Sequence, residues 1–407
     1  MAIATGIAKK LAFKKETTAG SFPGVTTGAQ YLRRVTSDLN LVKDTFQSNE
    51  IRTDYQIGDF RHGARKVEGS INGELACRSY QNLMAAALRA SQTWTVAKTT
   101  GAQTNITAAV TVSPEGTFTR AAGSYITDGF RIGDILRWTG WATTGVNNNA
   151  RNFLVTNLTA TVMTGIFLDG TAVAAKASGD SVTATGYKSI IVPTTGHADD
   201  SFSIEHWHSD ISISEAFLGC KVNSCQIALP ASGLATINFG FMGMNILTGA
   251  AQAYTSPTSV ENSTGILAAV NGALYVGTTK VATVTAMNIN IAGGMSSTPV
   301  VGTNAVPAIF PGRVNVTGDI SAYFETGTMR DLFINETKTT LVMALAEGSG
   351  ATDNVMCITI PQVKFGGSSK NDGEAGIVQQ MPFQAIVAAS VTGHDDTTIR
   401  IVDVAAT

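Results

Sequence analysis

Residues 67–88, VEGSINGELACRSYQNLMAAAL, decide the fold of this chain, because the chain contains the pattern twice. In the first half, Val67, Ile71 and Leu75 share one face and polar side chains occupy the other, the two-residue period of a half-buried strand. In the second half, apolar residues at helical spacing follow Ser79, which stands where a helix N-cap would. The stretch therefore predicts a strand followed by a short helix.

Residues 316–333, VTGDISAYFETGTMRDLF, repeat this pattern without a gap at a shift of about 249 positions. Val67 falls on Val316, and Leu83 falls on Leu332. The strand alternation, a hydroxyl residue at the cap position and the apolar helix face all return. We infer that the chain carries an internal duplication.

The composition favours many strands and turns over long exposed helices. The 407 residues suffice for two or three domains with their own cores. Only 14% of the residues are charged, and 41 are glycine. The balance of 28 basic against 30 acidic residues excludes nucleic-acid binding by bulk charge. Low net charge also lets copies of one surface approach each other.

The cysteines and the hydropathy give expectations about the compartment. Cys77, Cys220, Cys225 and Cys357 form no CxxC pair and indicate no disulfide framework. The sequence has no run of 18 apolar residues and no signal-peptide pattern, so we expect no membrane association. We expect the protein to be made, or assembled, in a cytoplasm.

Two long loops occupy equivalent places in the two copies. Residues 45–65 mix arginines with aromatic residues, a composition that protein interfaces favour, although a solvated hairpin tip is the simpler alternative. Residues 293–313 are apolar and contain three prolines. We predict that both loops contact other subunits. The predicted contact residues are Arg52, Asp54, Tyr55, Asp59, Phe60, Arg61, Arg65, Pro307, Phe310 and Arg313.

Each copy also contains a strand whose apolar residues change face midway. The change falls at Asn223 and Ser224 in the first copy, and at Pro361 and Gln362 in the second. A one-residue slip turns every later side chain to the opposite face, so we predict a β-bulge or bend at both points. A shared irregularity at matching places supports one duplicated fold.

The predicted fold class is mainly β, with two tandem antiparallel β-sandwich or barrel domains, each carrying a short flanking α-helix. Copy one covers residues 31–93 and 197–247, and copy two covers 281–390. Residues 94–196 interrupt copy one; they have no helical pattern and predict a small inserted all-β domain. Residues 1–30 are predicted to be an N-terminal arm, 248–280 a linker and 391–407 a C-terminal arm.

The sequence offers little that could perform catalysis. It contains no GxSxG, HExxH, Walker or GxGxxG motif. His206 and His208 would share a strand face and could be combined with Asp210 and Cys220 or Cys225 as metal ligands, but the spacing has no paired-ligand signature and packing is the simpler explanation. We therefore predict no enzyme, no cofactor and no metal.

Residues 31–75, YLRRVTSDLNLVKDTFQSNEIRTDYQIGDFRHGARKVEGSINGEL, closely resemble tail tube proteins, also called major tail proteins, of long-tailed, non-contractile phages. Residues 202–229 and 316–337 resemble later segments of the same family. Together these stretches cover most of the chain outside the insert. The resemblance rests on their number and order, since none contains a short signature motif.

The resemblance implies a structural protein of the virion tail, assembled in the bacterial host cytoplasm. In that family, subunits with a β-sandwich fold form closed rings, the rings stack, and double-stranded viral DNA passes through the lumen. A long hairpin loop and the terminal arms join neighbouring rings. Six such folds make one ring, so a chain with two copies predicts a trimer with pseudo-sixfold symmetry. The implied partners are other copies of the chain and the tape-measure, tail terminator and distal tail proteins.

A channel that conducts DNA should not hold it, because each phosphate neutralised by a basic side chain adds affinity. We therefore predict that acidic or neutral side chains line the lumen, with Glu68, Glu74 and Asp319 as candidates. The insert has no place in a minimal tube fold. We expect it on the outer wall, where tubes should assemble without it.

Other classes of protein remain as alternatives. The main alternative is a phage capsid or decoration protein, or another β-rich surface structural protein, but that class would not match the tube family in segment order. A secreted adhesin would carry a signal peptide. An enzyme acting on polysaccharide would need acidic and aromatic residues clustered in a groove.

Overall fold

The computed structural model of the chain describes residues 3–24, 28–255, 262–371 and 374–406. Before the insert, the chain forms β1 (Lys9–Lys15), β2 (Gln30–Tyr31), β3 (Thr36–Ser37), β4 (Asn40–Gln47), β5 (Phe60–Glu74) and α1 (Gln81–Ala87). The insert forms β6 (Lys98–Thr99), β7 (Ile106–Val110), β8 (Gly116–Arg120), β9 (Ile135–Thr139), a 3-10 helix (Thr143–Asn148), β10 (Phe153–Leu158), β11 (Val162–Phe167) and β12 (Thr183–Gly186).

After the insert, the first copy is completed by β13 (Ser189–Ile191), β14 (Phe202–His208), β15 (Ile213–Pro230), β16 (Thr236–Gly243) and β17 (Asn245–Gly249). The second copy forms β18 (Ala268–Val276), β19 (Thr279–Lys280), β20 (Val284–Ala292), β21 (Asn315–Tyr323), α2 (Thr328–Ile334), β22 (Thr339–Ala346), β23 (Val355–Phe365), β24 (Ser369–Lys370), β25 (Val378–Ile386) and β26 (Arg400–Asp403). The chain is thus mainly β with antiparallel sheets, and the predicted fold class is confirmed.

One continuous sheet runs through both copies, and we call it the long sheet. Its eight main strands pair in the order β4, β5, β16, the second half of β15, β20, β21, β25 and the end of β23, and the two-residue strands β3 and β24 pair with β5 and β25. The junction between the copies is the antiparallel pairing of β15 with β20, which brings Cys225 opposite Ile291. The two copies therefore share backbone hydrogen bonds rather than meeting only through side chains.

Each copy adds a second sheet on the other side of its core. The first side sheet pairs β2, β1, β14, the first half of β15 and β17. The second side sheet pairs β19, β18, β22, the first part of β23 and β26, with β13 at its edge. The main core lies between the long sheet and the side sheets. β15 and β23 each belong to two sheets, which requires the strand to change face along its length.

The predicted irregularities are confirmed at both places. The pairing of β15 with β16 shifts between Val222 and Ser224. The pairing of β22 with β23 shifts where Leu341 faces Ile360 and Thr339 faces Val363, so β23 carries the extra residue. At these bulges each strand passes from its side sheet into the long sheet.

The predicted helix caps are wrong in detail. The N-cap residue of α1 is Tyr80 rather than Ser79, and that of α2 is Gly327 rather than Thr328. Neither cap residue makes a side-chain capping bond. Both helices are single short elements held by packing, so a capping side chain is not required for them to form.

The predicted arms and linker require correction. β1 lies within residues 1–30, pairs with β14, and buries Leu11 and Phe13. β18 lies within 248–280 and pairs with β22, while β26 lies within 391–407 and pairs with β23. β1 and β18 hold the same place in their side sheets, as do β17 and β26. The prediction missed these strands because their partners lie far away in sequence. Residues 1–2, 25–27, 256–261 and 407 of these segments lie outside the described part.

The insert folds as a seven-strand antiparallel sheet with its own aromatic core, which agrees with the predicted all-β class. That core continues onto the second side sheet. In β22, Leu341, Met343 and Leu345 face the main core, whereas Val342 and Ala344 face the insert. The second side sheet is consequently buried on both faces.

A buried ionic cluster fastens the insert to the last strand of the chain. Arg400 in β26 bonds Asp134 of the insert, and the Arg400 Nε lies 3.2 Å from the Asp395 carboxylate. Lys98 Nζ lies 3.3 Å from Asp134, and Arg131 Nε donates to Asp395 at 2.8 Å. Burial opposes ionisation of Asp134, but the charges of Arg400 and Lys98 hold its pKa below the usual value. The insert is therefore anchored by charge as well as by apolar contact.

Candidate functional site: assembly surfaces

The first predicted loop lies at the end of the hairpin formed by β4 and β5, which projects from the long sheet. Ile51 and Tyr55 are almost completely exposed, at 103% and 99% of their reference areas. Arg52 pairs with Asp54 at 2.7 Å, which lowers the pKa of that carboxyl group. Because such charges are satisfied locally, the exposed apolar side chains are the part of the loop without a cover. The described exposed apolar residues of this hairpin are Val42, Phe46, Ile51, Tyr55, Ile57 and Phe60.

The other predicted residues of this hairpin lie nearby. Asp59 and Arg61 form an exposed ion pair at 2.7 Å, and Phe60 packs edge-on against His62. Arg65 lies at the hairpin base and is half-buried, with its backbone N–H donating to the Asn304 carbonyl at 2.9 Å. The structure therefore brings Arg65 onto the second loop, while the outer residues remain exposed.

The second predicted loop folds back on the molecule instead of projecting. Val306 and Ile309 are buried, and Lys221 Nζ donates to the Ile309 carbonyl at 2.9 Å. Arg89 holds both ends of the loop, through the carbonyl of Gly293 at 2.6 Å and that of Gly312. The predicted contact residues Pro307, Phe310 and Arg313 remain exposed on it.

The face of the long sheet that points away from the core is polar, and a row of mostly uncharged side chains runs across it. One row crosses it from strand to strand through directly paired residues. The members of this polar row are Thr36, Asn72, Asn238, Gln226, Asn290, Thr317, Gln384 and Lys364. Sequence patterns alone do not reveal the row, because it depends on the pairing register, although β5, β15, β16, β20 and β25 each contribute an amide to it.

The three predicted lining residues lie on that same polar face. Glu68 pairs opposite Met242 and forms an ion pair with Lys66 at 2.7 Å. Glu74 lies opposite Thr236, and Asp319 accepts from the Asn288 amide at 3.3 Å. The three are half-buried between neighbouring strands. Their position on one face fits the prediction, which the isolated chain does not test.

The two ends of the long sheet are strand edges. Within the described residues, β4 pairs only with β5, and the last residues of β23, Lys364 and Phe365, pair only with β25. At the matching place of copy one, the second half of β15 is instead covered by β20. Open strand edges are sites for pairing with another chain.

The two helices differ in the same way. Six of the seven residues of α1 are buried, including Leu83 and Met84, whereas none of α2 is. In α2, Phe333 and Ile334 are exposed at 36% and 62%. α1 packs on β15 of its own copy, and Gln81 Nε2 also donates to Asp403 in β26 at 3.5 Å. Within the described residues, α2 is not buried to the same extent.

His206, one of the residues considered as metal ligands, is packed inside the protein, and the cysteines are buried. His206 packs against Phe217 with ring centroids 4.9 Å apart, its Nε2 lies 2.8 Å from Ser37 Oγ, and burial lowers its pKa to about 3. Burial raises the pKa of Cys225 and Cys357 to about 12, which opposes thiolate formation. The described residues hold no group of three or more potential metal ligands, and none of their helices is long and apolar enough to span a membrane.

Comparison with known proteins gives one finding that bears on these surfaces. A family model described as phage tail tube protein matches residues 6–385, which is nearly the whole chain. No curated protein matches the chain significantly.

Proposed function

This chain belongs to the phage tail tube protein family, and we propose that three copies of it close into each ring of a stacked tail tube that conducts viral DNA. The role is structural, without catalysis. The observation that carries the ring is the junction inside one chain, where the edge of copy one pairs with the first long-sheet strand of copy two. The chain presents the same two edges, unpaired, at its outer ends.

The internal junction supplies a register for the contact between chains. Gln226 in β15 faces Asn290 in β20. The duplication relates Gln226 to Lys364 in β23, and Asn290 to Asn40 in β4, through the shared bulge and the shared pairing with β5 and β21. We therefore expect Lys364 of one chain to face Asn40 of the next. Ring closure of this kind removes all open edges of the long sheet.

The number of chains follows from the two copies. Each chain contributes eight strands to the long sheet, with two similar wedges side by side in the same order. If the contact between chains repeats the contact within the chain, successive wedges are related by one rotation, and a ring of six wedges contains three chains. The count of six wedges comes from the family, and with it a repeated contact gives three chains in each ring.

The polar face suits the wall of a DNA channel. The residues of the polar row that lie between Thr36 and Lys364 are uncharged, so they offer phosphates no fixed positive charge. Glu68, Glu74 and Asp319 add negative charge to that face. Replacing Asn290, Thr317 and Gln226 by arginine should make the variant tubes retain DNA at low salt. Equal release of DNA by variant and wild-type tubes would exclude this face as the lining of the channel.

The projecting hairpin is proposed to join one ring to the next, through Tyr55 and the exposed apolar residues around it. At the tube ends the same surfaces would meet the tape-measure, tail terminator and distal tail proteins. The tube would belong to a non-contractile phage tail and be assembled in the host cytoplasm.

A cysteine pair tests the ring. Asn40→Cys with Lys364→Cys should give, on oxidation of assembled tubes, covalent species of two and three chains and no larger ring. The native cysteines within the described chain are buried and do not compete. Lys43→Cys with Lys364→Cys is the matched control, three residues out of register and on the opposite strand face. Rings with the mass of six chains, or equal cross-linking in both variants, would contradict the proposal.

A further inference from the structure

A short sequence repeat lies just before the first strand of each side sheet. Residues 5–8 read TGIA and directly precede β1, while residues 264–267 read TGIL and directly precede β18. The pairings agree with this alignment, since Lys9 faces His208 at the end of β14 and Ala268 faces Ala346 at the end of β22. We call residues 5–8 the first TGI segment and residues 264–267 the second TGI segment.

The second TGI segment covers residues 75–77 of the other copy, which lead into α1 and which we call the entrance to α1. Thr264 Oγ1 donates to the Cys77 carbonyl at 2.6 Å, and Ile266 pairs with Ala76 in an antiparallel bridge. The Leu267 N–H donates to the Leu75 carbonyl at 2.8 Å, and the Leu267 side chain is fully buried. The segment thus extends the sheet of copy one by a short strand.

The first TGI segment is also held by a carboxylate, but it forms a turn on its own copy, where the Ala8 N–H donates to the Thr5 carbonyl at 3.2 Å and the Ala8 carbonyl accepts from Ser209 Oγ at 2.9 Å. The Thr5 N–H donates to Asp210 at 2.6 Å, much as the Gly265 N–H donates to Glu347 at 3.0 Å. Each carboxylate lies just past the strand that neighbours its segment. Ile7, the counterpart of Ile266, is nevertheless 100% exposed.

The place that would receive the first TGI segment is present in copy two. Phe324 corresponds to Leu75, because its N–H donates to the Ile377 carbonyl at 2.9 Å just as the Leu75 N–H donates to Ala235 at 2.8 Å. Apolar side chains of β21, of α2 and of the segment before β25 are exposed on the isolated chain. They are Tyr323 at 51%, Ile377 at 45%, Phe333 at 36% and Ile334 at 62%.

We propose that the first TGI segment of one chain docks beside residues 324–326 of the neighbouring chain in the ring and covers the entrance to α2. Docking exchanges the bonds that the Ala8 backbone and the Thr5 hydroxyl make with Thr5, Ser209 and Asp210 in the isolated chain. Transferring the bonds of the second TGI segment gives three specific contacts in their place. The Ala8 N–H donates to the Phe324 carbonyl, the Ile377 N–H donates to the Ala8 carbonyl, and the Thr5 hydroxyl donates to the Thr326 carbonyl. Ile7 then lies opposite Glu325.

This contact rests on the proposed ring and adds to it a partner contact separate from the edges of the long sheet. In this contact, a second copy of this chain covers the exposed apolar side chains of copy two. The sequence repeat and the bonds that the second TGI segment makes within one chain support this contact. It also accounts for an isoleucine that is fully exposed at the start of a well-paired strand.

The first test replaces Ile7 by aspartate. Since Ile7 makes no buried contact in the isolated chain, Ile7→Asp should keep the melting temperature of the unassembled protein. We expect the protein concentration needed for tube formation to rise at least tenfold. Val112→Asp, at a site 77% exposed on the insert, is the matched control and should assemble normally. Assembly of Ile7→Asp at the wild-type concentration would overturn the contact.

A covalent test remains informative if Ile7→Asp fails to fold. Ile7→Cys with Glu325→Cys should cross-link chains in assembled tubes, in covalent species of up to three chains, whereas Val112→Cys with Glu325→Cys should not. Intact tubes without cross-links would overturn this contact and leave the ring standing. If the wild-type protein forms no rings at all, the proposed function fails and this contact fails with it.

Discussion

The two copies share one frame but have different surroundings. In copy one, the helix is buried, the edge of the long sheet is paired by β20, and the entrance to the helix is covered by the second TGI segment. In copy two, the corresponding helix, edge and entrance are exposed. The covered surfaces of copy one therefore indicate what a neighbouring chain would cover on copy two in the proposed ring.

The outer faces of the two side sheets differ as well. The first is covered by short neighbouring segments. Glu205 accepts the Tyr254 N–H at 3.0 Å, and Glu16 accepts the Gly20 and Gly219 N–H groups at 2.9 and 2.8 Å. The outer face of the second side sheet is covered by the whole insert. The insert interrupts copy one in the sequence but packs on copy two. The insert thus connects the two copies, and its apolar contact buries the outer face of the second side sheet.

The largest expected effect is that of deleting the insert. Thr95 and Ser189 are joined by a backbone hydrogen bond of 3.0 Å, so residues 96–188 can be removed and the chain rejoined there. The deletion would expose Val342 and Ala344 and leave Arg400 without Asp134, so we expect copy two to unfold or aggregate. Proteolysis and circular dichroism would detect this. A soluble, folded deletion variant that still forms tubes would restore the prediction that the insert is dispensable.

A single substitution tests the buried ionic cluster. Arg400→Met leaves Asp134 buried without its main partner, and we expect a loss of about 3–5 kcal/mol in the free energy of unfolding. Adding Asp134→Leu should recover much of this loss, because the unpaired charge is then gone. Urea unfolding measures both. An additive effect of the two substitutions would show that the pair does not couple the insert to copy two.

The two helices offer a matched pair of truncations. Leu83→Ala removes a fully buried side chain from α1 and should cost about 2–5 kcal/mol. Leu332→Ala in α2 should cost clearly less in the isolated chain, because Leu332 is only half-buried there. Urea unfolding of unassembled protein gives the comparison. Equal costs would contradict the view that α2 is incompletely covered.

The smallest effect on the isolated chain should come from the projecting hairpin. Tyr55→Ser and Ile51→Ser alter exposed side chains and should change the free energy of unfolding by no more than about 0.5 kcal/mol. Stacking of rings should nevertheless be lost, leaving single rings in electron micrographs. Ile309→Ala, in the second loop, should instead destabilise the chain by about 2 kcal/mol or more, because Ile309 is buried. Normal tubes from Tyr55→Ser would assign stacking to another surface.

Much of the fold followed from local patterns. The two-residue period, the short helix after it and the two bulges all concern residues close together in the chain. Because the fold is duplicated, each of these patterns occurs twice in the sequence. β1 and β18, the first strands of the two side sheets, were not predicted because neither has a strand-like alternation of apolar and polar residues. In β1, only Leu11, Ala12 and Phe13 are buried between lysines, and β18 is rich in alanine and glycine. Such segments become strands because distant strands pair with them.

The sequence by itself determined that this protein consists of one fold used twice, with an all-β insert, because periodicity and repetition are properties of neighbouring residues. Only the tertiary structure decided that the copies share one sheet, that the insert packs on copy two, and that amides from five strands align in the polar row. Those features depend on which strands pair and in which register. Register is set by burial of the apolar faces across the whole molecule, and no single segment contains that information.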